Sequence, residues 1–75
     1  MTKQQLINWT LEHPLCVNLF GVVDYYQTSG VTKAAEQCVD RVFAALNITD
    51  ENEMSETQLT EAAVSDMAAT VKEML

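Results

Sequence analysis

Apolar residues recur at helical spacing in four stretches of the chain, and polar residues separate these stretches. Thr2 and Gln5 have the spacing of a capping box, which predicts a first helix over residues 3–12. Pro14 disfavours helical angles at the residue before it, and proline is itself well suited to the first position of a helix. A second helix is therefore predicted over residues 14–28.

The third and fourth stretches are amphipathic, each with one apolar side. Gly30 is expected to end the second helix, and Thr32 is expected to cap a third helix over residues 32–47. Ser55 and the glutamine three residues later form a second capping box, which predicts a last helix over residues 55–74.

The second predicted helix differs from the others because it is apolar around most of its circumference. A helix of this kind is normally surrounded by other helices. We therefore predict an all-α fold, a small four-helix bundle with the second helix at its centre. The β-branched and aromatic residues of this stretch would also allow a buried strand, but no other segment has the pattern of a strand that could pair with it.

The chain is short, which limits the apolar surface that it can bury. Its 75 residues correspond to one domain, residues 1–75, whose single core provides modest stability. Three short amphipathic helices would leave part of the second helix uncovered, and this predicts a homodimer or a partner protein on that surface. The residues expected there are Phe20, Val23 and Tyr26, while the pattern leaves open whether Tyr25 or Tyr26 faces water.

The net charge of −7 is concentrated in the last third of the chain. Residues 50–75 contain seven acids against Lys72 alone, and the stretch 48–54 is predicted as an acidic linker. This charge repels nucleic-acid phosphates and anionic membranes. The predicted partner is therefore a protein with a basic surface, and direct binding to nucleic acid or to a membrane is not expected. The acids expected to face that partner are Glu51, Glu53, Glu56, Glu61 and Asp66.

Cysteine content and the start of the chain bear on the cellular compartment. Two cysteines and no basic-then-apolar leader predict a cytoplasmic protein, because small secreted domains usually carry a signal peptide and several disulfides. No apolar run approaches the roughly 20 residues of a membrane helix, since Asn18 and Asp24 interrupt the longest one. Both cysteines lie on apolar faces and are expected to be small buried hydrophobic residues.

Two short motifs have the spacing of chemical sites, but each lacks required members. His13 and Cys16 are spaced like a base and a nucleophile or like two metal ligands, yet a zinc site usually needs three or four ligands and a catalytic pair needs an orienting group. Asp50, Asn52 and Glu61 match positions of a calcium loop, but a methionine stands where the fifth position needs an oxygen ligand. We therefore predict no metal site, no cofactor and no catalytic residue.

These patterns favour binding over catalysis. We predict a small acidic cytoplasmic protein that takes part in protein–protein interaction or regulation and is not an enzyme. Apolar surface on the second helix would supply contact area, and the acids of the last helix would steer a basic partner.

The alternative prediction is an inhibitor that mimics nucleic-acid phosphate and blocks a basic groove on a nucleic-acid enzyme. The dense acids of the linker favour it, whereas the last helix has acids only every five to seven residues. The carboxylates that would carry this mimicry are Glu51, Glu53, Glu56, Glu61, Asp66 and Glu73.

Overall fold

The computed structural model of the protein describes residues 1–48 and 54–75. In this part of the chain each of the four helices contacts the other three. The predicted all-α, four-helix bundle is therefore confirmed, and the alternative of a buried strand in the second stretch is wrong. Residues 49–53, most of the predicted acidic linker, lie outside the described residues. The helices are α1 (Lys3–Glu12), α2 (Pro14–Gln27), α3 (Val31–Leu46) and α4 (Glu56–Met74).

Local capping interactions set the start of α1 and the junction between α1 and α2. The Thr2 hydroxyl accepts a hydrogen bond from the Gln5 backbone N–H at 3.2 Å, and the Gln5 side chain accepts one from the Thr2 N–H at 2.7 Å. Both halves of the predicted capping box are present. His13 is extended, and Pro14 begins α2 at its first position, where a missing N–H costs no helical hydrogen bond.

The turn between α2 and α3 differs from the prediction by one or two residues. The left-handed residue that ends α2 is Thr28, while Gly30 (φ 87°) is the N-cap of α3, which begins at Val31 instead of Thr32. The Asp24 carboxylate accepts a hydrogen bond from the Gly30 N–H at 2.7 Å. This contact draws Gly30 back against α2, so the glycine opens the next helix and does not close the previous one.

We expect Thr28→Asn to stabilise the protein by about 0.5–1 kcal/mol, because a β-branched residue is strained in the left-handed region that asparagine tolerates. Thr28 has φ 52° and ψ 34°. The matched control is Asn47→Thr, since Asn47 caps α3 at φ 55° and ψ 47°. Urea unfolding should show opposite changes in unfolding free energy for the two variants. A change of the same sign in both would contradict the strain argument.

At the start of α4, one of the two hydrogen bonds of the predicted capping box is present. The Ser55 hydroxyl accepts a hydrogen bond from the Gln58 backbone N–H at 3.2 Å. The Gln58 side chain does not complete the box, because its oxygen accepts from the Ser55 hydroxyl, also at 3.2 Å, and not from the Ser55 backbone. One helical donor is satisfied, which is enough to fix the first turn.

The core is built from one face of each helix, and α3 contributes most to it. Six of the 16 residues of α3 are buried, against three of the 14 residues of α2. The prediction that the second helix is surrounded at the centre is therefore wrong, because α2 keeps an apolar side that the other helices do not cover. The buried apolar residues are Leu6, Cys16, Phe20, Val23, Ala34, Ala35, Cys38, Val39, Val42, Phe43, Leu59, Ala63, Met67 and Val71.

Candidate interaction surfaces

Two of the three residues predicted to contact a partner on α2 belong to the core. Phe20 is fully buried and Val23 is 3% exposed, so the prediction that they form an accessible surface is wrong. They share a helix face with the buried Cys16, and this face points into the bundle. Tyr26 is 53% exposed and Tyr25 is 79% exposed, so both tyrosines face water, and Tyr25 more so.

A different row of apolar residues flanks the buried face of α2 and is partly exposed. Leu15, Leu19, Val22 and Tyr26 follow one another at spacings of four, three and four, which places them within about 60° of each other around the helix. We call this row the α2 stripe. Leu15 is 48% exposed, and Leu19 and Val22 pack partly against the core. The Tyr25 ring meets the Tyr26 ring edge-to-face, with centroids 5.2 Å apart.

The α2 stripe carries no charge although the protein is strongly acidic. Asp24 is the one charged residue of α2, and it lies on the far side of the helix from the stripe. Its carboxylate is engaged with the Gly30 N–H. The stripe is therefore an apolar surface that a like-charged molecule could approach without strong repulsion.

One of the acids predicted to face a basic partner, Asp66, is already paired within the chain. Asp66 is held by Arg41, whose Nη2 lies 2.8 Å from Oδ2 and whose Nε lies 3.2 Å from Oδ1. This two-pronged ion pair joins α3 to α4 and occupies the Asp66 carboxylate. Glu56 and Glu61 are exposed, while Glu51 and Glu53 lie outside the described residues.

A surface that the sequence pattern does not indicate lies between α1 and α4, around Trp9. Of all helix pairs these two pack least closely, and two open cavities of about 530 and 390 Å³ meet at the Trp9 side chain. We call them together the Trp9 groove. Its signal in the sequence is weak, because Trp9 stands beside the apolar face of α1 and resembles an ordinary core residue. The lining residues are Met1, Gln5, Asn8, Trp9, Glu12, Glu56, Thr60, Glu61, Val64 and Ser65.

Both thiols are buried, as the sequence predicts, and poorly suited to nucleophilic chemistry. Cys16 and Cys38 are free and fully buried. Burial raises the pKa of Cys16, and burial with the nearby Asp66 carboxylate raises the pKa of Cys38 to about 12. The Cys38 Sγ lies 3.6 Å from the Ala63 carbonyl oxygen, to which its proton is donated. At neutral pH both sulfurs are therefore protonated, and a thiolate is the reactive form.

The described residues also bear on metal binding and on membrane insertion. Within residues 1–48 and 54–75, no group of three or more histidines, cysteines and acids is placed to hold a metal ion. None of the described helices has the length and apolarity needed to cross a bilayer. His13 stacks on Trp9 with ring centroids 4.8 Å apart, consistent with its position at a helix boundary.

Comparison with known proteins gives no family assignment. No protein-family model, no curated protein sequence and no solved structure matches this chain. The α2 stripe and the Trp9 groove are therefore interpreted from their own residues.

Proposed function

We propose that this protein is a small acidic interaction or regulatory protein without catalytic activity, and that it works as a homodimer joined through the α2 stripe. The observation that carries the proposal is the apolar row Leu15, Leu19, Val22 and Tyr26, whose two ends are exposed and whose middle is half-buried. Contiguous apolar patches on small proteins commonly mark sites of association. We propose the cytoplasm as its compartment, which fits two unpaired thiols.

Charge supports a second copy as the molecule that covers the α2 stripe. Two chains that each carry a net charge of −7 repel one another over most of their surfaces. The stripe is the side of α2 from which charge is missing, so two copies that meet there keep their acids apart. The spacing of four, three and four residues is also the pattern with which two helices interlock, and a twofold axis places the same row on both sides.

The small size of the domain gives the association a physical benefit. A chain of 75 residues buries a modest fraction of its surface on folding. Covering Leu15 and Tyr26 in a dimer would add buried apolar area, and binding that is specific to the folded state raises its stability by mass action. We therefore expect the melting temperature to rise with protein concentration.

We expect Leu15→Ser with Tyr26→Ser to convert the dimer into a folded monomer, because both side chains are exposed in one chain and their loss leaves the core intact. Sedimentation equilibrium gives the mass of the species in solution. The matched control is Val17→Ser, an exposed apolar residue on the opposite side of α2, which should stay dimeric. A wild-type monomer at all accessible concentrations would overturn the homodimer.

Salt separates this proposal from association through charge. Added salt screens the repulsion between two acidic copies, so the dimer should become stronger as salt rises. The predicted phosphate mimic would bind a basic target less tightly under the same change. The mimic has less support from Asp66, because that carboxylate is paired with Arg41.

A further inference from the structure

We propose that the Trp9 groove is a docking site for a basic, amphipathic helix of a partner protein. This surface is formed by α1 and α4, and the proposal does not depend on the α2 stripe or on the homodimer. It assigns to Trp9 and Glu12 a binding role that the sequence pattern does not indicate, and it places the predicted partner-facing acids Glu56 and Glu61 at the same site.

The shape of the groove fits a helix better than a small molecule. Its two cavities meet at Trp9 and open broadly to solvent between two neighbouring helices. Small-molecule sites normally enclose most of the ligand, whereas an amphipathic helix lays one apolar face along a groove. Trp9 and Val64 supply the apolar floor on one side, and Met1 continues it on the other.

The charges around the groove select a basic occupant. Glu12 and Glu56 line the larger cavity and Glu61 lines the smaller one, and all three are exposed. Neither cavity is lined by a lysine or an arginine from the described part of the chain. A helix with an apolar face flanked by lysines or arginines would therefore place opposite charges along both edges.

Trp9 is the natural anchor for such a helix. It is partly exposed and borders both cavities. A tryptophan ring attracts cationic side chains to its face and offers a large apolar surface, and tryptophan is enriched among the residues that dominate binding energy. The stems of lysine or arginine could pack on the ring while their charged ends reach Glu12 and Glu61.

The fluorescence of Trp9 provides a direct test of peptide binding, because Trp9 is the single tryptophan of the chain. The probe is a synthetic peptide of leucine and lysine, about 18 residues or five helical turns long, with leucines on one face. Binding in the groove should shift the Trp9 emission to shorter wavelength and raise the anisotropy of a labelled copy of the peptide. A control peptide with leucines at the same positions and glutamate in place of lysine should not bind.

Matched charge variants locate the site. Glu12→Gln with Glu61→Gln removes two carboxylates from the groove, and Glu36→Gln with Glu73→Gln removes two exposed carboxylates that line neither cavity. At low salt we expect the groove pair to weaken peptide binding about tenfold and the control pair to weaken it about twofold or less. Equal losses would overturn the proposal, because they would mean attraction to the net charge alone.

Further outcomes distinguish the groove from the α2 stripe. The variant Leu15→Ser with Tyr26→Ser should bind the peptide as wild type does, whether or not the homodimer exists. Loss of binding in that variant, or binding without a change in Trp9 emission, would overturn the groove as the site. Absence of any binding by the wild-type protein at low salt would overturn it as well.

Discussion

Phe20→Ala is expected to destabilise the protein by about 3–5 kcal/mol, the usual effect of removing a fully buried phenylalanine. Phe20 is among the largest side chains that are completely buried, and it packs with residues of the common core. A domain of 75 residues has a total stability of roughly 4–11 kcal/mol. The variant should therefore lose a large part of its stability, and in the less stable case it should be unfolded.

Urea unfolding followed by circular dichroism, at one fixed protein concentration, measures this loss. The matched control is Tyr26→Ala, an aromatic residue of the same helix that is 53% exposed and should change the stability of the chain much less. The pair separates two roles, since Phe20→Ala should destabilise the folded chain itself, whereas Tyr26→Ala should lower stability only by the smaller amount that association contributes. A stable Phe20→Ala protein that has lost only its association would show that Phe20 lies at an interface.

The stability of the protein is expected to fall by about 3 kcal/mol between pH 8 and pH 11 because of Cys38 alone. Burial, with the nearby Asp66 carboxylate, raises the pKa of Cys38 from 9.0 to about 12. Between these values the unfolded chain loses the thiol proton while the folded chain keeps it. Stability from this group is fully present below pH 9 and is lost as the pH rises towards 12.

Comparison with Cys38→Ala isolates this contribution from other alkaline effects. All other side chains are the same in the two proteins, so the difference in unfolding free energy between them removes other effects of alkaline pH. Above pH 9 the unfolding free energy of the wild type should fall steadily relative to that of Cys38→Ala. The cavity left by alanine lowers the stability of the variant by an amount that does not affect this trend. A difference that does not change with pH would mean that the Cys38 thiol ionises as readily in the folded protein as in the unfolded chain.

The two surfaces are expected to respond to salt in opposite ways. Contact through the α2 stripe joins two acidic copies, so screening should favour it. Contact through the Trp9 groove joins carboxylates to a basic helix, so screening should weaken it. One salt series with the wild-type protein therefore reports on both surfaces, provided that self-association and peptide binding are followed by separate signals.

The helices could be predicted from sequence because their signals are local. Capping by Thr2 and Ser55, the break at Pro14 and the left-handed Asn47 involve residues within a few positions of one another. The turn after α2 was predicted less well, because the contact that fixes Gly30 comes from Asp24 on the preceding helix. Threonine in the left-handed region at Thr28 runs against its own preference, so no local rule would place it there.

The sequence by itself determined the number of helices, most of their ends, the excess of acid in the last third and the burial of both cysteines. It could not determine which side of α2 faces inward, because apolar residues lie almost all around that helix and their spacing does not single out one face. Packing against α3 and α4 decided it, burying Phe20 and Val23 and leaving Leu15 and Tyr26 exposed. The Trp9 groove likewise arises from the loose fit between α1 and α4, which depends on how all four helices fill one core.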